Sequence, residues 1–373
     1  TYPAGMGLES LNMLSTVGAF VLAAGFLVVA WDVVRPKKTQ PNAPRNPWNA
    51  GSVEWLQEIP GQPWGVRTIP RVETRYPLWQ QPGILADYDA GRFYLPDAEE
   101  GRREMLVTST IDAEPVQCMR IAGPTFITLI AAICVAGIFI FPTFKLYGWM
   151  GVAIAASIAV IWIWLWTGSA EIPEKETKDV GLGTVLPLYA SGRDSVGWWA
   201  MAITMLGIFS AFISLVFGFF FYWSLRDDFT AAASSPDSAP WAIVAAVATA
   251  LCWGLTIAAR RLNGADRARA FFVSVAGAML AGALAAAATL AGPWYAGLNP
   301  TTGVYAAMVW LLAIWSALHI AVGLVMHLYC AARRAAGRMT ARHDMDIINV
   351  TLYWHFTAAT VAITLALIAG FPY

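Results

Sequence analysis

The stretch AAMVWLLAIWSALHIAVGLVMHLYCAA, residues 306–332, contains no Asp, Glu, Lys or Arg and is followed at once by Arg333-Arg334. As a helix its 27 residues reach about 40 Å at 1.5 Å per residue, more than the ~30 Å of bilayer hydrocarbon. A charged group at the centre of such a span costs about 2.5 kcal/mol or more, which accounts for its composition. The same reading extends in both directions: apolar runs of spanning length occur near 11–34, 123–144, 147–167, 197–224, 240–259, 268–291, 306–332 and 347–371. The expectation is an all-α integral membrane protein of eight transmembrane helices, grouped one, two and five.

Composition agrees. Of 373 residues 58% are hydrophobic and 13% charged, far from a soluble domain of this size. The 24 basic and 24 acidic side chains cancel, so no global field points to nucleic acid. The basic residues fall almost wholly on one side if Thr1 starts outside: Lys145 and Arg226 are then the only two of 24 on the outer face. The short inner loops hold Arg260, Arg261, Arg267 and Arg269, and Arg333, Arg334, Arg338 and Arg342. By the positive-inside rule these loops are cytoplasmic, and both ends of the chain lie outside. The pairs Arg260/Arg261 and Arg333/Arg334 are also candidate contacts for anionic phospholipid heads.

Five segments follow: a first span at 1–34, a polar Pro/Trp-rich segment at 35–121, a two-helix group at 122–167, a charged connector at 168–196, and a five-helix group at 197–373. Nine prolines between Pro36 and Pro82 oppose any long helix in the second segment, which reads as an extended cytoplasmic strap. Asp97–Glu104 is its one candidate short helix. Residue 1 is Thr with no basic leader before the first run, so the chain reads as a piece of something longer. Small residues four apart, Ser15/Ala19/Ala23 and Ser274/Ala278/Gly282, suit close helix packing in lipid.

Cys118, Cys134, Cys252 and Cys330 show no metal-ligand spacing and read as small core residues. The four histidines are His319, His327, His343 and His355. His327 and His355 lie near the inner ends of consecutive spans, so a bis-histidine heme of a b-type cytochrome is one reading. The favoured reading is that each imidazole bonds a carbonyl or hydroxyl between helices. His343, in a basic loop, is expected in solvent. Tryptophans at span ends, such as Trp166, Trp199 and Trp241, read as interfacial anchors. Transport is disfavoured, because no ionisable group or helix break lies at mid-depth and Pro142 and Pro293 sit at helix ends.

The run Gly7–Phe20 (GLESLNMLSTVGAF), then Asn46-Pro47-Trp48 and Glu54-Trp55, resembles the last helix of subunit I of heme–copper oxidases and the element just beyond it. Ile69–Val72 and Pro77–Trp79 continue that subunit I pattern, and Arg103–Thr108 and Asp112–Pro115 are similar to the linker of bacterial chains in which subunits I and III are fused. Further on, His319 with Gly323, and Trp354-His355-Phe356, resemble elements of the last two helices of subunit III. Two departures stand out. Thr204-Met205 occupy the place of an intramembrane Ser-Glu, and Thr357-Ala358-Ala359 follow where the family continues with Asp.

The resemblance implies part of an aa3-type, proton-pumping cytochrome c oxidase in a bacterial inner membrane, carrying electrons from cytochrome c to oxygen. It implies heme a, heme a3 and copper for the complete enzyme, none of them bound by this stretch, and no catalytic residue within it. It implies as partners the remainder of subunit I, subunit II, cytochrome c and phospholipid. It also implies a lipid-filled cleft between the two-helix and five-helix groups.

Overall fold

The computed structural model describes residues 5, 7–35, 44–56, 70–90, 92, 103–123, 125–168, 172–180, 183–227, 229 and 239–370. The chain divides into two compact units, residues 1–62 with 71–90, and residues 63–70 with 91–373.

In the first unit, α1 (Glu9–Val34) buries none of its residues. Its Ser15/Ala19/Ala23 face is therefore uncovered here. Beyond it lie a 3-10 turn (Val53–Leu56) and two short helices, α2 (Pro77–Gln80) and α3 (Ile84–Asp89).

In the second unit the polar segment is not a bare strap. Strands β1 (Arg103–Thr108) and β2 (Pro115–Ile121) form an antiparallel hairpin pairing Glu104 with Arg120 and Leu106 with Cys118. Of the expected helix Asp97–Glu104, residues 97–102 lie outside the described residues, and Arg103 and Glu104 are strand. A second hairpin, β3 (Thr177–Asp179) with β4 (Val185–Pro187), comes from the connector. Cys118, Val180, Leu186 and Leu188 close a small core across both hairpins, with Leu106 packed on it. Burial pushes the Cys118 thiol up to about 11, so it stays a protonated core group.

Seven long apolar helices fit a bilayer among the described residues: α1, α5 (Tyr147–Gly168), α6 (Val196–Leu225), α7 (Ala239–Gly264), α8 (Ala268–Tyr295), α9 (Val304–Ala335) and α10, which runs Met345–Gly370. An eighth apolar helix, α4 (Ile127–Thr143), has 17 residues, about 25 Å, so it falls short of the expected span 123–144. Pro142 and Pro293 fall in the last turns of α4 and α8, so the hydrogen bond each removes is lost at a helix end and not at mid-helix.

Helices suit lipid because they satisfy every backbone group internally. Their hydroxyls do the same: Thr249, Thr256, Thr289 and Thr351 each donate to the carbonyl four residues back. Helices α4 and α5 pair through small residues; a Cβ on Gly137 would lie 3.1 Å from that of Ala153. Helices α7 to α10 share one core, including Cys252, Phe271, Ala278, Ile320 and Trp354. The expected Ser274/Ala278/Gly282 face is buried in it. A second core joins α6 to α9 and α10 through Phe212, Phe219, Leu312 and Leu367.

The two groups of helices meet at one end. Tyr329 on α9 donates to the Leu165 carbonyl at 3.0 Å, and Arg338 donates to the Trp166 carbonyl at 2.9 Å while lying over the Trp166 ring.

Candidate functional site

The Asn-Pro-Trp element is a stapled turn. Asn46 Nδ2 donates to the Ala50 carbonyl at 2.7 Å and its Oδ1 accepts from the Ala50 N–H at 2.8 Å. Pro47 begins the turn with a fixed φ and no N–H to satisfy, and Asn49 takes a left-handed φ of 48°. The Trp79 indole donates to the Asn49 carbonyl at 2.8 Å. Gly51 is required by this closure, since a Cβ there would sit 2.8 Å from the Trp79 ring and 2.9 Å from Tyr76. Trp48 and Trp55 meet edge to face at 5.0 Å, with Trp48 74% exposed. Glu54 is exposed, and the Ser52 hydroxyl beside it holds its carboxyl below the usual range. The turn thus holds an exposed indole on a rigid base.

The motifs of α9 and α10 pack against each other. The fully buried Trp354 ring lies on Gly323, where a Cβ would stand 2.9 Å from it, and stacks on His327 at 5.4 Å between ring centres. Gly323 thus lets an indole reach the α9 backbone. His319 donates from Nδ1 to the Trp315 carbonyl at 2.8 Å, and the Tyr353 hydroxyl donates to the His319 carbonyl at 3.0 Å.

His327 is fully buried, with Nε2 2.9 Å from the Thr256 hydroxyl. That hydroxyl spends its one proton on the Cys252 carbonyl at 2.8 Å, so Nε2 carries the donor hydrogen. His355 points elsewhere, its Nδ1 accepting from the Trp253 indole at 2.7 Å. An indole can only donate, so neutral His355 carries its hydrogen on Nε2. The two imidazoles are each engaged on α7, with Trp354 filling the flank of His327. This geometry supports the interhelical hydrogen-bonding reading of both.

The arginines divide. Arg333, 8% exposed at its side chain, pairs with Asp346 at 2.7 Å and donates to the Arg338 carbonyl. Arg334 pairs with Asp266 and donates to the Met339 carbonyl. Both are turned toward protein partners, whereas Arg260 and Arg261 are exposed. His343 is half-buried, one side against the Tyr189 ring at 4.5 Å and the rest open to solvent, and its partial desolvation lowers its pKa. The loop it occupies is bound to the connector by Ser191 to Asp344 at 2.5 Å and by an Arg342–Glu176 ion pair. What residue patterns did not reveal is the buried cluster of Glu104, Lys178 and Arg120 in the strands; its one signal was a Glu at the head of the apolar run Met105-Leu106-Val107.

Among the described residues no three His, Cys, Asp or Glu side chains come together to hold a metal ion. The four histidines sit in four separate hydrogen-bonding arrangements, His343 Nδ1 lying 3.1 Å from the Thr340 hydroxyl.

This chain is similar to subunit 1 of cytochrome c oxidase. The Bacillus subtilis (strain 168) protein is 31% identical over 80 residues, 21% of this chain and 13% of that protein. The Alkalihalophilus pseudofirmus protein is 28% identical over 82 residues, 22% of this chain and 13% of that protein. These short similarities support a relationship to the heme–copper oxidases, and the seven long apolar helices among the described residues suit a multi-pass membrane protein. The matched part is thus a small fraction of each relative's length. No family model matches the chain.

Proposed function

We propose that this chain is the C-terminal part of a fused subunit I/III of an aa3-type, proton-pumping terminal oxidase of a bacterial inner membrane, with both of its ends on the outer side. In this reading cytochrome c supplies electrons, oxygen is reduced to water, and heme a, heme a3 and copper are held by other subunit I helices. The present residues scaffold. Helix α1 closes the subunit I bundle, and α4 as an eighth span with α5–α10 forms the subunit III bundle beside subunit II and phospholipid. Four observations support it: the similarity to subunit 1 takes in only about a fifth of the chain, α1 is apolar with no buried residue, Asn46–Trp55 forms a rigid aromatic turn, and the remaining helices make a separate bundle.

The observation that carries the reading is a similarity to subunit 1 over only 80 residues of a chain whose second unit alone holds six long apolar helices. An affinity tag on Tyr373 in the source cells tests it. The expected result is recovery of a complex with a heme a absorption band and cyanide-sensitive oxidation of reduced cytochrome c. Recovery of the chain without oxidase activity overturns it. The b-type alternative predicts a heme α-band on the isolated chain that His327→Ala or His355→Ala removes; no observed contact favours it.

A further inference from the structure

Between the two strand hairpins lies a cavity of about 130 Å³, room for roughly four waters or one tetrahedral oxyanion. Its floor is Glu104 and Leu188, its wall is Arg120 and Lys178, and Lys175 and Thr177 stand exposed at the mouth beside Asp179. Three bases against two acids leave the lining one positive charge in excess.

The bonding on the floor is incomplete. Glu104 is 1% exposed, and its Oε2 takes Lys178 Nζ at 2.5 Å and the Cys118 thiol at 3.5 Å. Its Oε1 has Arg120 Nε at 3.5 Å, within ion-pair range but outside hydrogen-bond geometry, and both atoms lack a hydrogen-bond partner. A buried acceptor and a buried donor left unmade cost about 1–3 kcal/mol each, more for charged groups. Such a pair at the base of an open cavity calls for a guest that donates one hydrogen bond and accepts several.

We propose that this cavity is a binding site for a protonated phosphate group, whose P–OH donates to Glu104 Oε1 while its remaining oxygens accept from Arg120, Lys175 and Thr177. An ionised carboxylate can only accept, so Glu104 repels an oxyanion that carries no proton. Hydrogen phosphate carries one at neutral pH, and a phosphate monoester takes one up near its second pKa of about 6; sulfate carries none. Basic side chains provide the charge-assisted bonds that oxyanions prefer. The volume excludes a nucleotide base and sugar inside the cavity. The site lies where α4 begins and α5 ends, outside the apolar helices, so the phosphate can be free or the head of a lipid monoester. The inference does not depend on membership of an oxidase.

Equilibrium dialysis of the intact protein in detergent against radiolabelled inorganic phosphate tests it, with a parallel arm using nanodiscs containing or lacking phosphatidate. Saturable binding of one phosphate per chain is expected, not displaced by equimolar sulfate. Lys175→Gln, at the exposed mouth and safe for folding, should weaken it about tenfold. Glu104→Gln should let sulfate compete as well as phosphate. Binding seen only with phosphatidate, and weakened by Lys175→Gln, assigns the phosphate to lipid. No saturable binding in either arm up to about 10 mM, equal competition by sulfate in the unmodified protein, or binding indifferent to Lys175→Gln overturns the site.

Discussion

Helices α5 and α9 are both long, uncharged at their centres and capable of crossing a bilayer, yet α5 buries only Ala153 and Ser157 while α9 buries fourteen residues from Tyr305 to Arg333. Apolarity does not separate them. What differs is the polar groups and the neighbours they meet: α9 carries Ser316, His319 and His327 on its buried side, with Gly323 under the Trp354 ring, and each meets a matched partner on a neighbouring helix or its own backbone. Helix α5 presents Ile154, Ile158 and Leu165 outward. In lipid the hydrocarbon satisfies a leucine as well as a protein neighbour does, so packing is decided by close approach and hydrogen bonds.

The sharpest way to break this contrast is Trp354→Ala, which empties the slot over Gly323 and should destabilise the bundle by about 3–5 kcal/mol. The unfolding midpoint in detergent measures it. Arg333→Met leaves Asp346 facing its lost partner and should cost about 3 kcal/mol; adding Asp346→Leu should recover most of that, as a double-mutant cycle would show. Gly323→Val drives a side chain into the Trp354 ring and should cost about 1–3 kcal/mol, visible in the near-ultraviolet dichroism of the indole.

A smaller effect comes from His343. Its folded pKa lies below the ordinary 6.5 because it is desolvated, so the folded state favours the neutral ring. That contribution is present above pH 6.5 and is lost as pH falls through the lower folded value. His343→Gln should therefore flatten the acid side of the stability curve. Ile158→Ala on the outer face of α5 should change the midpoint least, by within about 0.5 kcal/mol; a loss as large as that of Trp354→Ala would erase the distinction between the two helices.

How much of this was legible beforehand follows the same physics. The long helices were written plainly, because an uncharged run of spanning length has few alternatives in a chain this apolar. Their ends were off by a few residues, and α4 proved shorter because its first turn begins only at Ile127. The strands were missed: in Arg103–Thr108 the fully buried side chain is Glu104, where alternation would look for an apolar one. Its partner Lys178 lies 74 residues away, beyond any local pattern. Gly323 and Trp354 were singled out as separate motifs, but their mutual contact depends on how α9 and α10 cross. His343 was only half placed, because a basic loop reads as solvated until Tyr189 is known to cover one side of it.

The turn between α4 and α5 is three residues, Phe144 to Leu146, closed by Lys145 at a φ of 60° and by the Leu146 N–H on the Phe141 carbonyl at 3.0 Å. Three residues reach about 10 Å at full extension, a third of the hydrocarbon slab. The turn therefore cannot place the end of α4 and the start of α5 on opposite faces of such a slab. A turn that short makes α4 and α5 one hairpin, so whatever surroundings take up one helix must accommodate the other beside it.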